Sequence, residues 1–300
     1  MTGTGGLASS GGVTGTGGLA SSGGAPATGG SPSSGGAGGD GGASGGRAGG
    51  GSAGRGGAPA MGTGGAGGSA GYSPCPTTAG TACAVLPLGD SITEGCCTAP
   101  EGGYRIQLFS QAVMNGKNLT FVGTLTNGPA TVANRSFPMH HEGHGGYTIA
   151  GGGQGAIAGT VADKAISSTH PHIVLLMIGT NDLNGNIDVA NAPTRLGQLI
   201  DEIIADAPDA LVVVSTIIPI SAPSGDQRTK TFNATIPGLV SARAAAGKHV
   251  AMVDNYAAFS KDQNYQTSLK ADGLHPNSAG YVILGQTFYD GISALLPAGP

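Results

Sequence analysis

Four short clusters in this chain set reactive side chains beside glycines. "GDS" puts Asp90 and Ser91 behind Gly89, and "HEGHGGYTI" runs from His141 to Ile149. "GTND" covers Gly179 to Asp182, and "DGLHPN" covers Asp272 to Asn277. Between them they offer a hydroxyl, an imidazole, a carboxylate, an amide and flexible glycine N–H groups. Those are the parts of a serine hydrolase, in which a base must take the proton of a hydroxyl that is otherwise a weak nucleophile. The clusters are far apart in sequence, so the chemistry depends on a fold that gathers them.

That fold is read from the runs between the clusters. Beta-rich apolar stretches lie at 83–88, 119–125, 172–179, 210–218 and 248–253, with helical patterns at about 103–115, 149–167, 189–206, 231–247 and 278–296. Several strands are apolar at consecutive positions, as strands covered on both faces are. Strand and helix in alternation predict a three-layer α/β/α sandwich around a central parallel sheet of about five strands. In such sheets ligands bind beyond the carboxyl ends of the strands, and the clusters lie at or after those ends.

"GDSITEG", "GHGG", "GTND" and "DGLHP" stand in the order and approximate spacing of the four blocks of the SGNH (GDSL-type) hydrolases, which the chain resembles over about 82–296. Within that superfamily, "LPLGDSITEGCC", "FVGTLTNGP", "HEGHGGYTI" and "LLMIGTNDL" are most similar to carbohydrate esterase family three, whose characterised activity removes acetyl groups from xylan. That family is often written with Trp where this chain has Tyr147. The resemblance implies a flavodoxin-like sheet order, a Ser-His-Asp mechanism through an acyl-enzyme, an acetylated polysaccharide as substrate, and no metal or organic cofactor.

Carried onto these residues, the resemblance makes Ser91 the nucleophile and His275 its general base. The alternative for Ser91 is a plain helix N-cap, and for His275 an inert loop residue. Thr93 stands where the G-x-S-x-G elbow of the α/β-hydrolases would need Gly. Asp272 is the expected acid, with Asp254 at a strand end as its competitor, and Asp90 is expected to organise its loop. The resemblance gives the oxyanion hole to the N–H groups of Ser91 and Gly146 and the Asn181 amide, Gly145 being the alternative by one residue. "HHEGH" is one residue short of the zincin H-E-x-x-H, and its neighbouring glycines make a helix improbable, so a glycine-rich active-site loop is expected there. Arg105 is expected to anchor the first helix to neighbouring loops.

Composition divides the 300 residues unevenly, since 32 of the 59 glycines fall in 1–71. "TGTGGLASSGG" at 2–12 recurs at 14–24 with one Leu per copy, too little apolar bulk to build a solenoid. Residues 1–72 are therefore expected to be a disordered linker and 73–300 an esterase domain. Outside the tail, 11 basic residues face 16 acidic ones, which argues against nucleic acid or an anionic membrane as partner. No apolar run is long enough to span a bilayer. A long Gly/Ser/Ala tether is more natural outside a cell, so secretion is expected, with the export signal missing from this sequence.

All four cysteines, Cys75, Cys83, Cys96 and Cys97, lie within 23 positions. Zinc and free thiols are alternatives to the expectation of disulfides pinning the strap before the first strand to the loop after Ser91. Pairing of the adjacent Cys96 and Cys97 is the least expected connectivity. The functional expectation is a secreted esterase taking small acyl groups from polysaccharide. Its rivals are a hydrolase of lipid, aryl, thioester or peptidoglycan esters and a catalytically silent surface-binding module.

Overall fold

The computed structural model describes residues 71–78 and 80–299. The segment read as a linker, 1–72, lies outside the described residues except for its last two positions. In chain order the elements open with β1 (Cys83–Asp90), α1 (Ser91–Glu94), α2 (Tyr104–Met114) and β2 (Leu119–Phe121). Short strands follow: β3 (Leu125–Thr126), β4 (Thr131–Val132), β5 (Arg135–Ser136) and β6 (His140–His144). The middle of the chain forms α3 (Thr160–Thr169), β7 (Ile173–Met177), α4 (Thr180–Asn184), α5 (Ala192–Asp206) and β8 (Leu211–Ser215). It closes with α6 (Pro223–Asn233), α7 (Ile236–Ala245), β9 (Val250–Val253), α8 (Asn255–Ser260), α9 (Tyr265–Ser268) and α10 (Ser278–Ile292).

The central sheet runs β3-β6-β1-β7-β8-β9, with β2 also on β1, and every pairing is parallel except β3 with β6. All of β7 and β8 is buried, as their unbroken apolar runs require. Right-handed crossovers put α2 and α10 on one face and α3, α5 and α7 on the other. The contacts agree: α10 lies on α2 and α8, and α3 on α5. This is the α/β/α sandwich with a mostly parallel sheet that the sequence predicts.

One flank of β1 is filled by two strands in relay. β2 pairs with Cys83–Val85 and β6 with Leu88–Asp90, leaving Leu86 and Pro87 between them. Proline is normally excluded from a central strand because it cannot donate to the ladder. Ala84 accepts from His172 on the β7 side and Val85 from Val122 on the β2 side, so by alternation Pro87 turns its missing N–H toward the β2/β6 flank. There it falls in the gap, and no ladder bond is lost.

Three expectations are corrected. "HHEGH" is strand β6 and not a loop; its polar side chains fit because each finds a partner, Glu142 on Thr124 and His144, His141 on the Gly143 N–H and His140 on the Gly123 carbonyl. The helix expected at 149–167 starts only at Thr160, since the glycines of 151–155 form a loop. The helix expected at 231–247 is α7, which starts only at Ile236 with Pro237 in its first turn, while 231–233 end the separate and unexpected α6.

The cysteines also pair differently from expectation: Cys75 bonds Cys83, and Cys96 bonds Cys97. Cys83 opens β1, whereas Cys96 and Cys97 follow Ser91 beyond its far end. An eight-residue strand, about 25 Å long at the usual rise, keeps the two pairs out of reach of each other. Arg105 anchors as expected. It is fully buried in α2, donates to the carbonyl oxygens of Met139 at 3.0 Å and Glu94 at 3.3 Å, and bonds the Asn127 side chain. Burial pulls its pKa down to about 10.

Candidate active site

β1 ends at Asp90, and the chain turns at once into the single helical turn α1, which starts on Ser91. Asp90 makes that turn by accepting the Ile92 N–H on Oδ1 at 3.0 Å, an N-cap contact. Complete burial pushes its pKa up to about 6 against that bond. Asp90 therefore organises its loop, as expected, from beneath Ser91. Gly95 ends α1 in the left-handed region at φ 86°, and its N–H returns to the Ser91 carbonyl.

His275 arrives from the loop before α10. Its Nε2 lies 2.9 Å from Ser91 Oγ, and its Nδ1 lies 2.9 Å from Asp272 Oδ2. The loop is built to hold this pair: Asp272 Oδ1 accepts the N–H groups of Leu274 at 2.7 Å and His275 at 2.6 Å. Partial burial raises the Asp272 pKa, but the bonds from the His275 side chain and the two N–H groups outweigh it and hold the carboxyl at about 2. Asp254, the competitor, is elsewhere: its Oδ1 caps α8 through Ala257 N–H and accepts from Thr216 Oγ1.

A residue under this loop had no signal in the sequence. Lys270 is buried, its Nζ donates to the Leu274 carbonyl at 2.7 Å, and burial pulls its pKa down to about 8. Its backbone bridges Pro276, and the Ala271 N–H meets the His275 carbonyl. The loop bearing Asp272 and His275 is thus closed on itself from both ends.

β6 carries the third group to the same rim. Glu142 Oε2 accepts the Thr124 N–H at 2.8 Å, and its Oε1 meets Thr124 Oγ1 at 3.0 Å and His144 Nε2 at 2.8 Å. The His144 ring stacks on Tyr147 with centroids 4.8 Å apart. Gly145 and Gly146 join those two residues in the chain, and neither N–H has a protein acceptor among the described residues. Gly146 takes φ 77°, which favours glycine, and a Cβ there would strike the Gln154 side chain. A Cβ on Gly145 would lie 3.9 Å from that of Ser91.

Asn181 stands in the first turn of α4, directly after β7. Its Nδ2 donates to the Tyr147 carbonyl at 2.7 Å, tying the amide to the Gly145–Gly146 segment and leaving one N–H for another acceptor. Asp182 fastens the same region, accepting from Ile149 N–H at 3.0 Å and Arg195 Nη2 at 2.8 Å. Ser91, His275 and Asp272 therefore form one hydrogen-bonded chain. Gly145 approaches Ser91, and Asn181 is bonded to the segment that holds Gly146.

Residues 88–283 match the GDSL-like Lipase/Acylhydrolase family. The "Multidomain esterase" of Ruminococcus flavefaciens is 31% identical over 232 residues, which make up 71% of this chain and 29% of that protein. This chain thus spans less than a third of that relative's length. Among solved structures, a Clostridium thermocellum family 3 carbohydrate esterase is similar at 32% identity and a TM-score of 0.60, over 72% of this chain and 98% of the other. A carbohydrate esterase family 3 protein of Talaromyces cellulolyticus is similar at 28% and 0.59, over 71% and 97%. An acetyl esterase solved with acetate ion is similar at 27% and 0.59, over the same shares of the two chains, 71% and 97%.

Proposed function

The chain belongs to the GDSL-like Lipase/Acylhydrolase family, and on that premise we propose that it removes acetyl groups from a polysaccharide, xylan first, by a Ser91–His275–Asp272 mechanism. The observation that carries the reading is the unbroken chain of contacts from Ser91 Oγ through the imidazole to Asp272, 2.9 Å at each step. With Nδ1–H donated to the carboxylate, the Nε2 lone pair faces the serine hydroxyl.

Ser91 Oγ attacks the ester carbonyl carbon as its proton passes to Nε2. The oxyanion is held by the Ser91 N–H, the Gly146 N–H and the remaining Asn181 N–H. Collapse breaks the bond to the sugar oxygen, which leaves with the proton from Nε2. Water then attacks the acyl-serine, giving its proton to the same nitrogen; collapse breaks the bond to Ser91 Oγ, which takes that proton back, and the acid leaves as acetate. The acetyl choice is supported by what the similar solved proteins are called, a family 3 carbohydrate esterase and an acetyl esterase. Export from the cell is part of the proposal and is supported by the two disulfides.

Release of acetate from acetylated xylan, set beside hydrolysis of aryl esters of increasing acyl length, tests the substrate. Acetate should be released from the polymer, and aryl ester turnover should fall steeply beyond the shortest acyl groups. Faster hydrolysis of long-chain esters, with no acetate from xylan, would replace the deacetylase reading with a lipase one. Asn181→Ala should lower kcat by about 10²-fold with KM nearly unchanged, since the donor acts on charge that exists only in the transition state. A loss confined to KM would put Asn181 in substrate binding and out of the oxyanion hole.

A further inference from the structure

The sequence makes Cys96 and Cys97 neighbours, and the fold makes them neighbours of His275 as well. The two Sγ atoms and a ring nitrogen of His275 all lie within 4.8 Å of one another. Backbone contacts hold Cys96 independently of the bond between the sulfurs. The Cys96 N–H donates to the Ser91 carbonyl at 3.2 Å, and the Cys96 carbonyl accepts from the Tyr281 hydroxyl at 3.1 Å. If the disulfide opened, the Cys96 thiol would remain beside the imidazole, with the Cys97 thiol on the next residue. Cys97 is exposed, so a soluble reductant can reach it, whereas Cys75 and Cys83 are buried.

Two thiolates and an imidazole are three of the four ligands of a tetrahedral Cys₂His zinc centre. At ordinary Zn–S and Zn–N lengths such ligand atoms stand about 3.5–4 Å apart, so once the sulfurs part from bonding distance all three atoms can take that spacing within the 4.8 Å span they now occupy. We infer that Cys96, Cys97 and His275 form a redox-gated site for a thiophilic divalent cation, and that a cation bound there switches the esterase off. This rests on the proposed role of His275 as general base.

The steps balance. A dithiol attacks the Cys96–Cys97 bond and leaves as its own cyclic disulfide, its two hydrogens ending on the two cysteine sulfurs. The cation then displaces both thiol protons and takes the imidazole lone pair. With Nδ1–H given to Asp272 the lone pair is on Nε2, and a cation that takes it leaves no acceptor for the Ser91 proton. In the oxidised protein the sulfurs carry no thiolate and the cation has no site.

The test uses the full chain, oxidised or treated with dithiothreitol and freed of it without air, with alkylation mapping which disulfide opened. Cd²⁺ is titrated by its thiolate charge-transfer absorbance, with no ester present, and Zn²⁺ is titrated against turnover. The reduced protein should bind one Cd²⁺ per chain and lose at least tenfold in turnover with one equivalent of Zn²⁺, a chelator restoring it. The oxidised protein should do neither. His275→Ala should weaken Cd²⁺ binding at least tenfold, and in the Cys96→Ser/Cys97→Ser variant reduction should leave zinc sensitivity unchanged. Reduced protein without the absorbance, or binding cadmium yet unaffected by zinc, overturns the inference. So does equal inhibition of the oxidised form. The cadmium titration stands apart from catalysis, so a protein inactive on every ester would fail the esterase reading without deciding this one.

Discussion

Ser91→Ala should leave no more than about one ten-thousandth of wild-type kcat on an acetyl ester. The hydroxyl is the atom that becomes acylated, and nothing beside it could take its place. The imidazole beside it is engaged with Asp272. His275→Ala should be about as damaging, because an alcohol whose proton has no acceptor is a poor nucleophile at neutral pH. The double variant should be hardly worse than either single one, since the two residues act as a unit. Full additivity would mean they work independently and would contradict the 2.9 Å contact as the working arrangement. An organophosphonate followed by peptide mapping should mark Ser91, and a label on any other residue would overturn the assignment.

Asp272→Asn should lower kcat by about 10³-fold while Asp254→Asn stays within about threefold. The amide keeps the shape of the side chain, but its NH₂ can face Nδ1 as a donor. That turns the imidazole to the tautomer with its proton on Nε2, where it meets the Ser91 hydroxyl and accepts nothing. A fully buried acid costs about 10⁴-fold when changed this way. Asp272 is half exposed, with 51% of its side chain open to water, so solvent replaces part of its effect and the smaller figure is expected. The carboxyl is held at about 2, below its ordinary range, so the acid limb of the wild-type pH–rate profile does not belong to it. The sign for stability follows: its contribution is complete above the ordinary aspartate range and is lost as the pH falls through about 2. Equal loss from both substitutions would leave the choice of acid undecided in favour of neither geometry, and a larger loss at Asp254 would reverse it.

The parts of the molecule visible in sequence are those whose burial is apolar. β7 and β8 are wholly buried and read directly from "IVLLM" and "LVVVS". α2, α5 and α10 also lie close to where their periodicity puts them. β6 was not legible, because what allows His141, Glu142 and His144 into a sheet is a set of partners supplied from afar. Glu142 depends on Thr124, and His141 accepts the Gly143 N–H on Nδ1 while burial drives its pKa down to about 3. α6 was missed for the opposite reason: "PSGDQRTKTFN" is polar on most sides, and its few buried residues trace no stripe. The site residues were visible as motifs, but Lys270 beneath the catalytic loop belongs to no motif. The cysteine pairing could not be read from spacing, because it turned on the length of the strand between the pairs.

The relay of β2 and β6 along one flank of β1 gives this edge a modular character. The lower half, from Cys83 to Val85, is sealed by β2 whatever follows it. The upper half, which borders Ser91, is sealed by β6, and the connection between the two seals carries β3, β4 and β5. Pro87 sits at the seam, where it has no N–H to donate to either strand. Insertions or exchanges within that stretch can thus resculpt the wall beside the nucleophile while the foundation keeps its register, which makes this stretch the natural cassette for retuning what the enzyme accepts.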